Sequence, residues 1–364
     1  MKRWLCGALA AVMALTTGCS AILNREYSAV VPHSATPVSD GESDHIRVAS
    51  YQELVNALIY LVGRGTESGS IRFDSGKNDE AEIQQMLEEA CLEVVQEDPL
   101  GAYAVEYIKY SVTPIVGSYE ADVQINYRRT REQVAAIVDA TGTAAIRSEL
   151  SSALAEFSTE VVLRISYFEE DSEYIRQLMR EAYLSNPASA LDFPDAQIAM
   201  YPETGQRRIV EVLLTYHQSR QTLESRRNSL LREADRLLLQ AGGQGVSGLP
   251  QLIQLVRQSC VYQEGSGSTA YDALLGGKAD SQGLALALAL LCQRAQPALS
   301  CTVVDGQRNG VSHQWNVVQT SSGYRHVDLT QLGEVVFRTD QEMAAAGYTW
   351  DSERVPACTT EGNT

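Results

Sequence analysis

The stretch TAYDALLGGKADSQGLALALALLCQRA, residues 269–295, decides the fold of this 364-residue chain. Its second half, Leu284 to Leu291, is an unbroken run of alternating Leu and Ala. As a helix, this run is apolar on every side, which predicts that the helix is buried in the core. Gly277 and Gly283 flank its start, where they allow the backbone to turn tightly. Ser281 is therefore expected at or near the N-terminus of a buried helix.

A position at a helix N-terminus has two uses, and the residues alone leave both open. Unpaired N–H groups and the positive end of the helix dipole favour a developing negative charge, such as a thiolate or an oxyanion. Ser and Asp are also preferred N-cap residues, so that Ser281 or Asp280 can serve only to satisfy those donors.

Two downstream segments with alternating polarity predict a β-hairpin. In SHQWNVV, residues 312–318, His313 and Trp315 share one face, and in YRHVDLT, residues 324–330, His326 and Asp328 share one face. Ser321-Ser322-Gly323 forms the turn between the two strands. The pairing brings His313 and Asp328 side by side, where Asp328 would orient the imidazole as the third member of a catalytic triad does. The alternative is a buried histidine that is satisfied by an acidic neighbour.

Taken in order, these motifs resemble the transglutaminase-like core, a papain-related family with a Cys-His-Asp site. Ser281 stands where the family has its nucleophilic Cys, and TVVDG (residues 302–306) and FRTDQEMAAAGYTWDSERVPAC (residues 337–358) extend the resemblance. The resemblance implies an α+β fold in which a buried helix packs on an antiparallel sheet. It assigns residues 244–364 to this domain. It also implies that Tyr271 and Trp315 line a substrate groove beside Ser281.

The exchange of Cys for Ser predicts an impaired site. A cysteine thiol, with a free pKa of about 8.5, is readily ionised by a helix N-terminus and a histidine, whereas a serine hydroxyl is far less acidic. Serine therefore needs His313 in line as a general base and well-placed oxyanion donors. The favoured function is a catalytically impaired domain that binds an extracellular peptide or cell-wall polymer. The alternatives are an active acyl-transferase or amide hydrolase using Ser281, His313 and Asp328, and a purely structural surface protein.

The N-terminus predicts export and lipid anchoring. Lys2 and Arg3 precede an apolar segment, and Thr16-Thr17-Gly18-Cys19 resembles a bacterial lipobox in which Cys19 is lipidated. Thr16 stands where that motif usually has Leu, which leaves conventional signal cleavage as the alternative. Residues 1–19 are thus the lipoprotein signal and lipobox, and residues 20–44, which are polar and contain Pro32 and Pro37, form a flexible tether. The expected location is extracytoplasmic, on the bacterial cell membrane.

Charge and residue spacing exclude several classes of partner. Loss of Lys2 and Arg3 with the signal changes the formal net charge from −17 to −19. Such an acidic exported protein lacks the clustered Lys and Arg that contacts with phosphate backbones need, which excludes nucleic acid as a partner. The His and Cys residues show no metal-ligand spacing, so we expect no metal and no cofactor.

Residues 45–243 predict an internal duplication of two α+β modules, at residues 45–140 and 141–243. Each copy is predicted to run helix, strand, helix, strand, helix, and Tyr127 and Tyr216 occupy corresponding positions. Ser50 with Glu53 and Thr130 with Gln133 have the spacing of capping boxes, which predicts helix starts. A long amphipathic helix with Leu223, Leu230, Leu231, Leu237 and Leu238 leads into the C-terminal domain.

Five cysteines lie outside the signal and lipobox: Cys91, Cys260, Cys292, Cys301 and Cys358. An exported protein can form disulfides, and the four cysteines in the C-terminal half allow three pairings. Apolar cysteine is also common as a small core residue. The residues leave both possibilities open.

Overall fold

The computed structural model describes residues 45–74, 79–241, 248–331 and 333–359 and has an α+β fold, with sheets packed against helices. The predicted signal, lipobox and tether lie outside the described residues. The described chain divides into two compact units. One contains the residues up to Cys91 and Ile108–Ile125, and the other contains Leu92–Tyr107 and the residues from Asn126 onward.

The first sheet has the strand order β1-β2-β4-β3, with β1 and β2 parallel. In chain order, its strands and the helices between them are β1 (His45–Val48), α1 (Tyr51–Gly63), β2 (Ser68–Phe73), α2 (Glu80–Gln96), α3 (Pro99–Ala104), β3 (Val105–Ile115) and β4 (Ser118–Tyr127). Ser50 caps the helix as predicted, since its side chain accepts from the Glu53 N–H, but the capping box is not complete, because the Glu53 carboxylate accepts from the N–H of Ala49 and not from that of Ser50. Helix α1 begins directly after Ser50.

The second sheet has the order β5-β6-β8-β7, again with its first two strands parallel. Its elements are α4 (Arg131–Ala135), β5 (Val138–Ala140), α5 (Gly142–Ala155), β6 (Glu160–Ser166), α6 (Ser172–Ser185), β7 (Asp195–Tyr201) and β8 (Arg207–Thr215). The capping box of Thr130 and Gln133 starts α4 as predicted. The shared strand order is what a duplication produces, but descent from one ancestral unit stays a prediction.

The predicted element order of the modules is wrong, because it has two strands in each module and the structure has four. The prediction omits the short first strands β1 and β5 and also the strands β3 and β7. The local signals for these strands are weak. Strand β5 has three residues and β1 has four, which is too short for an alternating pattern. Strand β3 is largely exposed, so it carries no continuous apolar face.

The C-terminal part is built around one buried helix. Helices α7 (Arg220–Ala241) and α8 (Leu249–Ser259) lead to α9 (Ser281–Arg294), and α10 (Asp340–Ala345) follows later. The strands β11 (Cys301–Arg308), β12 (Val311–Thr320), β13 (Gly323–Val327) and β14 (Tyr348–Trp350) form an antiparallel sheet of order β13-β12-β11-β14. A short parallel pair joins β9 (Val261–Tyr262) to β10 (Lys278–Ala279).

Helix α9 is buried along nearly its whole length, as its composition predicts, with every residue from Ser281 to Cys292 less than a tenth exposed. Its leucines share a core with α7, α8 and the second module, and its other side meets β12, where the Asn316 side chain donates to the Ala285 carbonyl at 2.9 Å. Because one apolar cluster runs through all these elements, α9 is held rigidly against the sheet.

The predicted hairpin is present: β12 pairs with β13 from Asn316 opposite Val327 to Thr320 opposite Gly323. Gly323 has a φ of +95°, which a residue with a side chain rarely adopts. The hairpin fixes the end of β13 close to the start of β12.

In the described part of the chain, no helix is both long and apolar enough to cross a membrane.

Candidate functional site

Ser281 is the first residue of α9, as predicted, and Asp280 is the N-cap. The Asp280 side chain accepts from the Gly283 N–H at 3.0 Å and also from the Ser268 hydroxyl. Gly283 is needed here, because a Cβ atom at this position would lie 2.7 Å from the Ala279 Cβ and 2.9 Å from the Gly267 carbonyl oxygen. Since Asp280 caps the helix, the hydroxyl of Ser281 is available for other contacts.

His313 and Asp328 lie side by side, as the hairpin predicts, with 2.9 Å between His313 Nε2 and Asp328 Oδ2. Both residues are 7% exposed. Asp328 also accepts from the Tyr348 hydroxyl at 2.6 Å, from the Gln331 side chain at 3.2 Å and from the Thr330 N–H at 2.9 Å. Four donors on one carboxylate hold it in a single orientation.

The same donors control the charge of Asp328. Burial opposes ionisation of Asp328, but the hydrogen bonds from His313 and Tyr348 outweigh it, so the pKa of Asp328 lies well below its usual range. The ionised carboxylate can only accept, which places the proton of a neutral His313 on Nε2 and leaves Nδ1 as an acceptor. Burial and the bond to Asp328 also raise the pKa of Tyr348, so it remains a donor.

Ser281 and His313 line one cavity of about 520 Å³. Its walls come from β9, the start of α9 and the adjoining ends of β11 and β12, and Arg180 of α6 also reaches it. The lining is polar and charged for the most part and includes Glu264, Gln282 and Arg308. The cavity joins two of the three predicted site residues, while Asp328 supports His313 from below the surface.

The Ser281 hydroxyl is hydrogen-bonded to Gln314. The hydroxyl donates to Gln314 Oε1 at 3.0 Å and accepts from the Gln314 N–H at 3.2 Å. Sequence reasoning missed Gln314, because alternation along β12 places it on the face opposite His313 and no motif marks it. The Ser281 hydroxyl thus donates its hydrogen bond to Gln314 and not to the imidazole of His313. In an activated serine nucleophile the hydroxyl donates to the histidine.

The predicted roles of Tyr271 and Trp315 in lining the groove are wrong. Trp315 is 1% exposed and packs in a core cluster with Tyr348 and Met343, and neither it nor Tyr271 lines the cavity at Ser281. Tyr271 lies beneath Arg226, whose guanidinium carbon is 4.4 Å from the ring centroid. Trp315 instead stacks beside His313, with 6.3 Å between ring centroids, and so supports the imidazole.

A second histidine and acidic pair lies behind Trp315. The Trp315 indole N–H donates to His326 Nδ1 at 2.9 Å, and His326 Nε2 lies 2.8 Å from Asp340 Oδ1. The ligand atoms of His326, Asp340 and Cys358 lie within 4.8 Å of one another, which suggests a metal site. However, the indole N–H occupies the lone pair on Nδ1, so a neutral His326 carries its proton on Nε2 and has no lone pair for a metal. The trio therefore fits a structural role.

The five described cysteines are present as thiols. Burial raises the pKa of Cys91 and Cys358 to about 12 and that of Cys260 to about 11, so these thiols are unreactive near neutral pH. Cys301 lies against Cys292, and burial together with this neighbour raises the pKa of the Cys301 thiol. Of the three pairings that the sequence allows, this contact favours the one that joins Cys292 and Cys301.

We expect acid to weaken the fold through Asp328. Its pKa is lowered in the folded state, so the stability it contributes is present above its unfolded pKa of about 3.9 and is lost as the pH falls below that value. Between pH 5 and pH 3, urea unfolding of the wild type should lose about 1 kcal/mol more than unfolding of Asp328→Asn, whose side chain does not titrate. Equal losses in the two proteins would contradict this role of Asp328.

Comparison with solved structures finds a weak structural similarity. A solved chain described as "Crystal structure of a TGase" is similar at 14% sequence identity and a TM-score of 0.28, over 52% of this chain and 57% of that chain. The protein thus spans less than two thirds of that chain. A similarity of this size shows neither the fold family nor an activity of this chain. No family model matches the sequence, and no curated protein matches it.

Proposed function

We propose that the chain is an exported, lipid-anchored protein whose transglutaminase-like domain binds an extended extracellular peptide or cell-wall polymer without turning it over. The observation that carries this proposal is the state of Ser281. Ser281 stands at the nucleophile position on α9, in the cavity that His313 lines, but its hydroxyl donates a hydrogen bond to Gln314 and not to His313. His313 and Asp328, the other two residues of the proposed site, are hydrogen-bonded at 2.9 Å.

An edge of β12 that pairs with no other strand among the described residues supports binding of an extended chain. Val311 to Trp315 of β12 pair with β11 on one side, whereas β13 begins its pairing only at Asn316. On the β13 side the Gln314 N–H is taken by Ser281. The backbone groups of Ser312 point to the same side, because strand direction repeats every two residues. A peptide that adds to this edge gains main-chain hydrogen bonds at the mouth of the cavity.

An active acyl-transferase or amide hydrolase is the second candidate, and the His313 and Asp328 pair favours it. Asp328 is ionised and orients the imidazole with Nδ1 as an acceptor, which is the form a general base needs. For turnover, Ser281 would have to leave Gln314 and direct its hydroxyl to His313. Activity of the wild type therefore separates the two candidates.

The binding proposal predicts that the free edge of β12 is essential for binding. Ser312→Pro removes the N–H on that edge and should lower binding of purified peptidoglycan or of unstructured casein peptides about tenfold, since one or two main-chain hydrogen bonds are lost. Ser312→Ala is the matched control, because it removes the side-chain oxygen and keeps the N–H. Binding measured by sedimentation or fluorescence polarisation that is equal for both variants would refute the edge-binding mode.

The lipid anchor is proposed from the lipobox resemblance at Thr16 to Cys19. When expressed in a bacterial host, the wild type should incorporate labelled palmitate and partition with membranes. Cys19→Ser should do neither, and the nearby Ser20→Ala should behave as the wild type does. Palmitate incorporation that persists in Cys19→Ser would remove the anchor from the proposal.

A further inference from the structure

Arg180 on α6 brings the second module into the lining of the cavity. Its Nε donates to Asp305 Oδ2 at 2.9 Å, and one guanidinium nitrogen donates to Gln282 Oε1 at 2.6 Å and to Asp305 Oδ1 at 3.4 Å. These contacts join α6 to both the start of α9 and strand β11. The sequence alone predicts no role for Arg180, Asp305 or Gln282.

Asp305, held by Arg180, in turn orients the side-chain amide of Gln314. Burial of Asp305 opposes its ionisation, but the hydrogen bond and charge of Arg180 outweigh it and lower the pKa of the carboxyl. An ionised carboxylate only accepts hydrogen bonds. Gln314 therefore turns its amide nitrogen to Asp305 Oδ1, at 2.7 Å, and Ser312 Oγ accepts from the same nitrogen at 3.2 Å.

The orientation of the Gln314 amide determines what residue 281 meets. With the nitrogen on Asp305, the carbonyl oxygen Oε1 must face Ser281 and accept its proton. A carbonyl oxygen is an unfavourable neighbour for a thiolate or alkoxide, because it offers a lone pair where an anion needs a donor. Reversal of the amide would present an N–H donor to residue 281 instead.

We propose that Arg180 and Asp305 are positioning residues that hold the Gln314 carbonyl against residue 281, so that the second α+β module suppresses nucleophilicity at the site. The proposal rests on the proposed function in one respect, since it takes residue 281 to occupy the nucleophile position. It adds that suppression has two causes, the exchange of Cys for Ser and the orientation of Gln314.

The proposal is tested in the Ser281→Cys protein, where the introduced thiol reports on its surroundings. Adding Asp305→Asn keeps the size of that side chain and supplies an amide. Arg180 then binds the oxygen of the new amide, so the N–H of the new amide faces Gln314. The Gln314 amide rotates by about 180° in response, and its nitrogen then donates to the thiol at position 281. We expect the pKa of this thiol to fall by about one unit and its alkylation by iodoacetamide at pH 7 to become about tenfold faster.

The matched control is Asp235→Asn in the same Ser281→Cys background. Asp235 on α7 accepts from Arg294 at 2.6 Å, so this change also removes an Asp and Arg pair that contacts α9, but at the far end of that helix. Its alkylation rate should equal that of Ser281→Cys alone. Equal rates in the Asp305→Asn and Asp235→Asn proteins would overturn the proposal, and so would slower alkylation after Asp305→Asn.

Two further variants in the Ser281→Cys background guard against misfolding and test the module itself. Gln314→Ala removes the carbonyl outright and should accelerate alkylation of the introduced thiol several-fold. Arg180→Met added to the Asp305→Asn protein removes the donor that fixes which end of the new amide faces Gln314, so it should reduce the acceleration, and an undiminished alkylation rate would remove the second module from the account. None of these rates requires a ligand, so they can fail or succeed independently of the peptide-binding test.

Discussion

Replacement of Ser281 by Cys should create the most reactive thiol of the protein. Residue 281 starts a buried helix and shares its cavity with His313, and both features favour a thiolate. Burial raises the pKa of Cys91 and Cys358 to about 12, which leaves almost none of either as thiolate at pH 7.5. We expect iodoacetamide to label the introduced thiol roughly a thousandfold faster than these two. Mass spectrometry of tryptic peptides against time measures all these rates in one sample.

Two controls decide whether the reactivity belongs to the site. His313→Ala in the Ser281→Cys background should slow labelling at least about tenfold, since the thiol loses the imidazole that accepts its proton. Ser268→Cys is the matched control, because residue 268 lies beside the same helix start and its hydroxyl contacts Asp280. If the thiol at position 281 reacts no faster than the thiol at position 268, or if loss of His313 has no effect, Ser281 does not occupy a nucleophile position.

Replacement of Trp315 by Ala should have the largest effect on stability. Trp315 is the largest of the fully buried side chains in the described part of the chain, and its ring contacts His313, His326, Tyr348 and Trp350. Its loss leaves a cavity and removes the donor to His326 Nδ1. We expect the free energy of unfolding to fall by about 3–5 kcal/mol, as judged by urea titration followed by circular dichroism.

A graded series separates volume from hydrogen bonding at this position. Trp315→Phe keeps an aromatic ring and removes the N–H, so it should cost less than Trp315→Ala but more than Tyr167→Ala, whose side chain is 82% exposed. If Trp315→Ala were as stable as Tyr167→Ala, the ring would not be part of the core. Trp315 would then be open to the substrate role that the sequence resemblance implies.

Sequence reasoning succeeded where the signal is local. The apolar run of Leu284 to Leu291 predicted a buried helix, the spacing of Thr130 and Gln133 predicted a helix start, and the Ser321-Ser322-Gly323 turn predicted the hairpin. Each of these depends on residues a few positions apart, so the chain itself carries the information. The contact between His313 and Asp328 followed from the register of the hairpin.

Sequence reasoning failed where distant segments meet. Arg180 and Asp305 are 125 residues apart, and only the packing of the second module against the C-terminal sheet brings them together. Gln314 was missed because its role depends on the Asp305 carboxylate. Trp315 was misplaced because alternation identifies its face of the strand but not whether that face is covered, and α10 and β14 cover it.

The most direct test of the account is amide turnover by the wild type beside Ser281→Cys and Ser281→Cys with His313→Ala. Hydrolysis and amine transfer are followed with unstructured casein peptides, by release of ammonia and by peptide mass. The account predicts no wild-type turnover above that of the His313→Ala single variant, and measurable turnover or acyl-enzyme formation in Ser281→Cys that His313→Ala abolishes. Wild-type turnover that disappears on His313→Ala would contradict the central claim that Ser281 leaves the site inactive.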